Sequence, residues 1–174
     1  MSKMHLAGPS ITQLEIDYVQ KAMNNWYDNP YYFCEEFQRQ FAKYTGRKYA
    51  LMTPNCTTAI HLTLASLGIK EGDEVIVPEC TWIGSSAGIH YLGAKTVFGD
   101  IDEDDWCLSP SSVEKLINEK TKAIIFVNVF GNMAKIDKLQ SIADRHNIPL
   151  IEDAAESVGG KLNGSVSGSH GIAS

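Results

Sequence analysis

No two of the four cysteines (Cys34, Cys56, Cys80, Cys107) form a CxxC pair, and the five histidines (His5, His61, His90, His146, His170) have no ligand spacing. A zinc centre or a dithiol redox centre therefore has no framework here, no metal is expected, and the thiols read as small half-buried groups of a reducing compartment. Positive charge is scarce as well. Fifteen Lys and Arg stand against 21 Asp and Glu, for a net charge of −6, which excludes the basic patch of a nucleic-acid surface. No apolar run reaches membrane-spanning length, and the polar, acid-containing start is not a signal peptide, so no membrane partner and a cytoplasmic location are expected. The glycine fingerprints of dinucleotide and P-loop folds, GxGxxG and GxxxxGK, are missing too, which lowers a Rossmann-type reading.

What is present is alternation. The chain has 174 residues, 44% apolar and 21% charged, the size and balance of one globular domain. Thr12-x-x-Glu15 is a capping box with Ile11 and Ile16 as its hydrophobic staple, opening a helix to about Asn24. Asn25 to Tyr31 reads as a loop, Phe33, Phe37 and Phe41 recur at helical spacing, and Gly46 stops that helix. Strands are expected at 49–52, 74–77, 96–100, 123–127 and 148–151, with helices at 57–67, 82–92, after the Ser109 cap and Pro110, and at 136–146. This is an α/β fold, a mostly parallel sheet flanked by helices with right-handed crossovers. A small hairpin with an Asn163-Gly164 turn follows, then a Gly- and Ser-rich tail. Ending without a closing element, the chain reads as a fragment.

Three segments carry chemistry. Pro149 to Glu156 is a buried run delivering Asp153 to a strand's C-terminal end, the edge where open α/β sheets bind ligands. An acid there pairs with a ribose hydroxyl, a metal or the ring nitrogen of a pyridine cofactor, or else caps the next turn. Glu156 either bonds a ring substituent or faces solvent. Pro54 to Ala59 joins a strand end to a helix start, where backbone N–H groups and the Thr57 hydroxyl suit a phosphate, although a plain N-cap at Asn55 or Thr57 accounts for the same residues. Trp82 leaves the next strand at that edge, placed to stack on a flat ring or to join the core. The acidic turn Asp100 to Asp105 reads as a solvated loop.

Thr57-Thr58-Ala59-Ile60-His61-Leu62, Gly72 to Pro78, Thr81-Trp82, Asp100-Ile101-Asp102 and Glu152-Asp153-Ala154-Ala155-Glu156 occur in an order and spacing that resembles the DegT/StrS family of nucleotide-sugar aminotransferases. The resemblance covers nearly the whole chain. It implies a three-layer fold type I large domain with pyridoxal 5′-phosphate as cofactor. It also implies that Cys56 and Thr57 hold the phosphate, that Trp82 stacks on the ring, and that Asp153 and Glu156 are the catalytic and cofactor-binding acids at the ring nitrogen and phenolic oxygen. Residues 1–31 would be an N-terminal helix and loop arm and 32–174 an incomplete large domain, with the small C-terminal domain absent and the Schiff-base lysine expected beyond Ser174. Lys70, Lys95 and Lys122 enter strands from the wrong edge, and Lys161 lies in the hairpin. Cys56 replaces a glycine common in the family, and Asn128 a histidine. The implied activity is amino transfer from a donor such as glutamate to a keto group of a nucleotide-linked deoxysugar, in a homodimer of the full-length protein, within deoxyamino-sugar and polysaccharide biosynthesis. The alternatives are a sugar 3-dehydratase with His in place of the lysine, and an inert truncated fragment or scaffold.

Overall fold

A computed structural model describes residue 8 and residues 10–174. The start of the arm expected over residues 1–31 lies outside the described residues. Two helices come first, α1 (Gln13–Asn24) and α2 (Tyr32–Thr45). The capping box forms as expected: the Thr12 side chain accepts from Leu14 N–H, and the Glu15 carboxylate accepts from Thr12 N–H at 2.6 Å. The staple does not bury its residues, because α1 has no buried position and Ile11 and Ile16 stay exposed.

The core is a four-stranded parallel sheet in the order β2-β1-β3-β4, built from β1 (Glu74–Pro78), β2 (Lys95–Gly99), β3 (Thr121–Val127) and β4 (Leu150–Asp153). Strands β1 and β4 are buried at every residue and β3 at all but Lys122, the signature of parallel strands covered on both faces. Alternation along the strands divides the core in two. Val75, Val77, Ala123, Ile125 and Ile151 meet α3 (Cys56–Ser66) and α4 (Gly84–Tyr91), whereas Ile76, Ile124, Phe126 and Leu150 meet α5 (Pro110–Leu116) and α6 (Ile136–His146). This is the expected three-layer arrangement. The hairpin β5 (Lys161–Leu162) and β6 (Ser165–Val166) also forms, with both Asn163 and Gly164 at positive φ as a type I′ turn requires.

Four expectations need correction. Residues 49–52 are not a strand: no backbone ladder reaches them, and Met52 N–H bonds the Gln38 side chain instead. Trp82 precedes α4 rather than opening it. Ser109 makes no side-chain cap, its hydroxyl being paired with Ser111. The last strand also runs two residues further than the apolar pattern implied, so the acids of 152–153 are inside β4.

Beyond β4 the tail returns to the sheet. Ile172 N–H donates to Leu150 O at 2.7 Å, and Glu152 N–H to Ala173 O at 2.9 Å. Arg47 holds this return from the side, its guanidinium donating to the carbonyls of Gly168, His170 and Gly171. Gly171, at φ +66°, passes so near the Leu150 carbonyl that no side chain fits.

Candidate functional site

Because successive residues of a strand point to opposite faces, Glu152 and Asp153 part company. Asp153 turns to the α3–α4 face at the C-terminal end of β4, 5% exposed. Its Oδ2 accepts from Ser85 Oγ at 2.7 Å, and its Oδ1 accepts from Cys56 Sγ at 3.4 Å and Ala155 N–H at 3.2 Å. One carboxylate therefore caps the following turn and also meets side chains of two other segments. Among the described residues no cation lies within ion-pair distance of it.

Helices α3 and α4 bring the other residues to this acid. They cross on two glycines one turn apart: a Cβ on Gly88 would sit 3.0 Å from the His61 backbone, and one on Gly84 would sit 2.6 Å from Thr57 Oγ1 and 3.0 Å from Trp82 Cδ1. The glycine seam lets the N-terminal ends of both helices converge. Asn55 caps α3, its side chain accepting from Thr58 N–H at 2.9 Å, which leaves the N–H groups of Cys56 and Thr57 without a partner among the described residues. Open N–H groups at a helix start form an anion site. Trp82 stands beside them with its ring 74% exposed, so it is not a core residue. Gly84→Ala should cost about 1–3 kcal/mol of stability by overpacking this seam, read as a lowered urea midpoint.

The Cys56 thiol points at Asp153, away from any role as an anion donor through its side chain; only its backbone N–H serves the helix start. Burial foremost, then the neighbouring Asp153 charge, pushes this thiol up from 9.0 to about 12. A raised value means that the fold favours the protonated thiol. The associated stability is whole below pH 9.0 and drains away as pH climbs toward about 12. The gap in urea midpoint between the wild type and Cys56→Ser should therefore narrow across that range.

Glu156 is exposed, and its Oε2 accepts from Phe130 N–H at 2.7 Å, leaving Oε1 open. That bond secures a strained turn: Phe130 adopts φ 54°, ψ 22° with its ring exposed, a left-handed conformation unusual for a bulky residue. Strain of this kind gathers at functional sites. Since Asn128 N–H bonds Asp153 O at 3.1 Å, the Phe130 turn belongs to the same sheet edge.

Sequence reasoning missed Ser85, Gly84 and the role of Glu152. Glu152 is 1% exposed on the α6 face, where it accepts from Asn128 Nδ2 at 2.8 Å, Ser167 Oγ at 3.3 Å and His170 N–H at 2.9 Å. Asn128 is fully buried and also accepts from Ala134 N–H at 3.0 Å, so the residue that departs from the family pattern bridges β4 to the chain entering α6. The Gly84-x-x-x-Gly88 spacing was the legible signal for the seam. Nothing local marked Glu152, which lies next to an acid of opposite facing.

Three of the lysines set aside on sequence grounds lie away from Asp153: Lys70 and Lys122 line a cavity of about 760 Å³ with Thr121 and His146 at the opposite edge, and Lys95 pairs with Glu74 at the start of β1. The fourth, Lys161, is in the hairpin strand β5 and makes no ion pair with Asp153. The described residues hold no cluster of three or more His, Cys, Asp or Glu suited to a metal, and no helix among them is long and apolar enough to cross a membrane.

Known proteins resemble this arrangement throughout. A GDP-perosamine synthase from Caulobacter vibrioides is 41% identical over 98% of this chain and 46% of its own length, so the chain spans about half of the curated relatives it matches. The aminotransferase from Psychrobacter cryohalolentis superposes with a TM-score of 0.87 at 35% identity, covering 94% of this chain and 42% of that one. A GDP-4-keto-6-deoxy-D-mannose-3-dehydratase from E. coli, solved with hydrated pyridoxal phosphate, superposes with a TM-score of 0.87 at 31% identity, covering 96% and 44%. With a profile match over residues 9–174, the chain belongs to the DegT/DnrJ/EryC1/StrS aminotransferase family.

Proposed function

We propose that this chain is the cofactor-binding part of a nucleotide-sugar aminotransferase, residues 32–174 forming its large domain, and that its site takes pyridoxal 5′-phosphate. The observation that carries the reading is Asp153: a buried carboxylate with neutral donors, no cation among the described residues, and an open helix N-terminus beside it. A protonated pyridine nitrogen supplies the missing cation and a phosphate satisfies the open N–H groups. The residues present therefore fit the group. Cys56 and Thr57 N–H with the Thr57 hydroxyl would hold the phosphate, Trp82 would cover a ring face, Asp153 would hold a proton at the ring nitrogen, and the free Oε1 of Glu156 would face the phenolic oxygen. Bound there, the cofactor supplies a cationic ring able to accept electrons from a substrate carbon.

What the chain itself does is bind, orient and hold charge. Asp153 keeps the ring nitrogen protonated, and the burial of its carboxylate strengthens that pairing. Trp82 would cover the ring, and the position of its side chain depends on the absence of a side chain at Gly84. The relatives named GDP-perosamine synthase support a GDP-linked sugar as substrate. The similar GDP-4-keto-6-deoxymannose-3-dehydratase, solved with a trapped pyridoxal phosphate–glutamate adduct, supports a 4-keto-6-deoxy form of it and glutamate as donor. The dehydratase likenesses, at TM-scores up to 0.88, favour a second reading, loss of a hydroxyl from the same class of sugar.

Two measurements test this. Pyridoxal phosphate added to the chain should quench tryptophan fluorescence saturably, and Trp82→Phe should remove most of the quench; absence of saturable binding would refute the cofactor site. In the protein that carries this chain, ¹⁵N from labelled glutamate should appear in a GDP-linked 4-keto-6-deoxysugar by mass spectrometry. Deoxygenation without nitrogen transfer would select the dehydratase.

A further inference from the structure

Asp153 has two oxygens, and the fold provides each with a donor from a different helix. The Ser85 hydroxyl of α4 reaches Oδ2 at 2.7 Å, while the Cys56 thiol at the start of α3 reaches Oδ1 at 3.4 Å. Ser85 is itself fixed. It is 1% exposed, and its Oγ lies 2.8 Å from Thr81 Oγ1. With the Ser85 proton committed to Asp153, Thr81 donates to Ser85, and the three groups form a one-directional chain, Thr81 to Ser85 to Asp153. The Cys56 thiol remains a donor across the physiological range because burial and the Asp153 charge keep it protonated, with its titration moved up to about 12.

A carboxylate offers about four acceptor positions. Ser85, Cys56 and the Ala155 N–H occupy three, two of them on Oδ1. The open position is on Oδ2. We propose that Ser85 and Cys56 are positioning residues for Asp153, a hydroxyl and a thiol that lock the rotation of its carboxyl group and reserve Oδ2 for a protonated ring nitrogen. The inference rests on the pyridine-ring reading of the site. It assigns a role to the cysteine that stands at a glycine position of the family pattern, since glycine has no side chain to donate.

The test uses pyridoxine 5′-phosphate, which has no aldehyde and cannot bond covalently to any amine. Ring absorption reports the protonation of its nitrogen, and binding of inorganic phosphate reports the state of the α3 start. In the wild-type chain the bound ring should stay protonated at a pH where the free ligand has lost that proton. Ser85→Ala should shift the bound ring's titration at least tenfold in proton affinity toward that of the free ligand, with phosphate binding unchanged, and Ser85→Thr should restore it. Cys56→Ala should shift it in the same direction by a smaller factor. In the ligand-free chain the Cys56 S–H stretch, identified by its loss in Cys56→Ser, should lie at the lowered frequency of a bonded thiol and move up in Asp153→Asn. If Ser85→Ala binds the ligand with an unchanged ring titration, the positioning role is overturned while the cofactor reading stands. If the wild-type chain binds phosphate but leaves the ring unprotonated, or does not bind the ligand, the cofactor reading fails and takes this inference with it. Should Ser85→Ala not fold, Cys56→Ala and Ser85→Thr decide by the same readout.

Discussion

Asp153→Ala should weaken pyridoxal phosphate binding by about 30-fold or more, the cost of about 2–5 kcal/mol expected when one partner of a buried charge pair is removed. The same variant should bind inorganic phosphate as the wild type does, because the open N–H groups of Cys56 and Thr57 belong to α3 and not to β4. Titration of both ligands by tryptophan fluorescence separates the two contributions. Equal loss for both ligands would mean that Asp153 shapes the pocket and does not meet a ring. Asp153→Asn should recover little, since an amide cannot compensate a pyridinium charge even where it keeps the Ser85 contact.

Glu152→Leu should have the larger effect on stability. Its buried carboxylate satisfies the buried Asn128 amide and Ser167 hydroxyl and the half-buried His170 N–H. Leucine orphans the His170 N–H and leaves the Asn128 amide only a 3.5 Å contact with the Ser167 hydroxyl, which itself keeps Ser157. At about 1–3 kcal/mol per unsatisfied group, the loss should reach about 2 kcal/mol or more, a sizeable share of a domain's total stability. Urea unfolding measures it directly. The return segment at 167–173 should loosen first, visible as faster amide exchange at His170, whereas Ile172 retains its bond to Leu150 and should exchange more slowly. A change below about 1 kcal/mol would show that the network is not under the demand its burial implies.

These two acids are neighbours in sequence, and the contrast between them separates what the chain alone reveals from what it does not. The β-branched and apolar runs at 74–77, 123–127 and 148–151, alternating with helical stripes, already imply a covered parallel sheet, because only strands buried on both faces carry such continuous apolar runs. From that sheet follows the edge at which Asp153, Thr57 and Trp82 emerge. The helix start at Asn55-Cys56-Thr57 was also legible, since Asn followed by small polar residues is a favoured N-cap pattern. By contrast, residues 49–52 looked like a strand and are not one: local apolarity does not provide a neighbouring strand, and ladder bonds need one.

The sequence by itself determined the fold class, the C-terminal edge of the strands and the acid that emerges there, because these depend on periodicity and chain order. Tertiary structure alone decided the partners. That Ser85 and Cys56 clamp Asp153, that Gly84 and Gly88 let two helices close on Thr57 and His61, that Glu156 steadies the strained Phe130 turn, and that Glu152 turns inward to Asn128 are contacts between residues 24 to 97 positions apart. Hydrogen bonds and steric fit act over a few ångströms of space, and only the packed fold converts distance along the chain into that proximity.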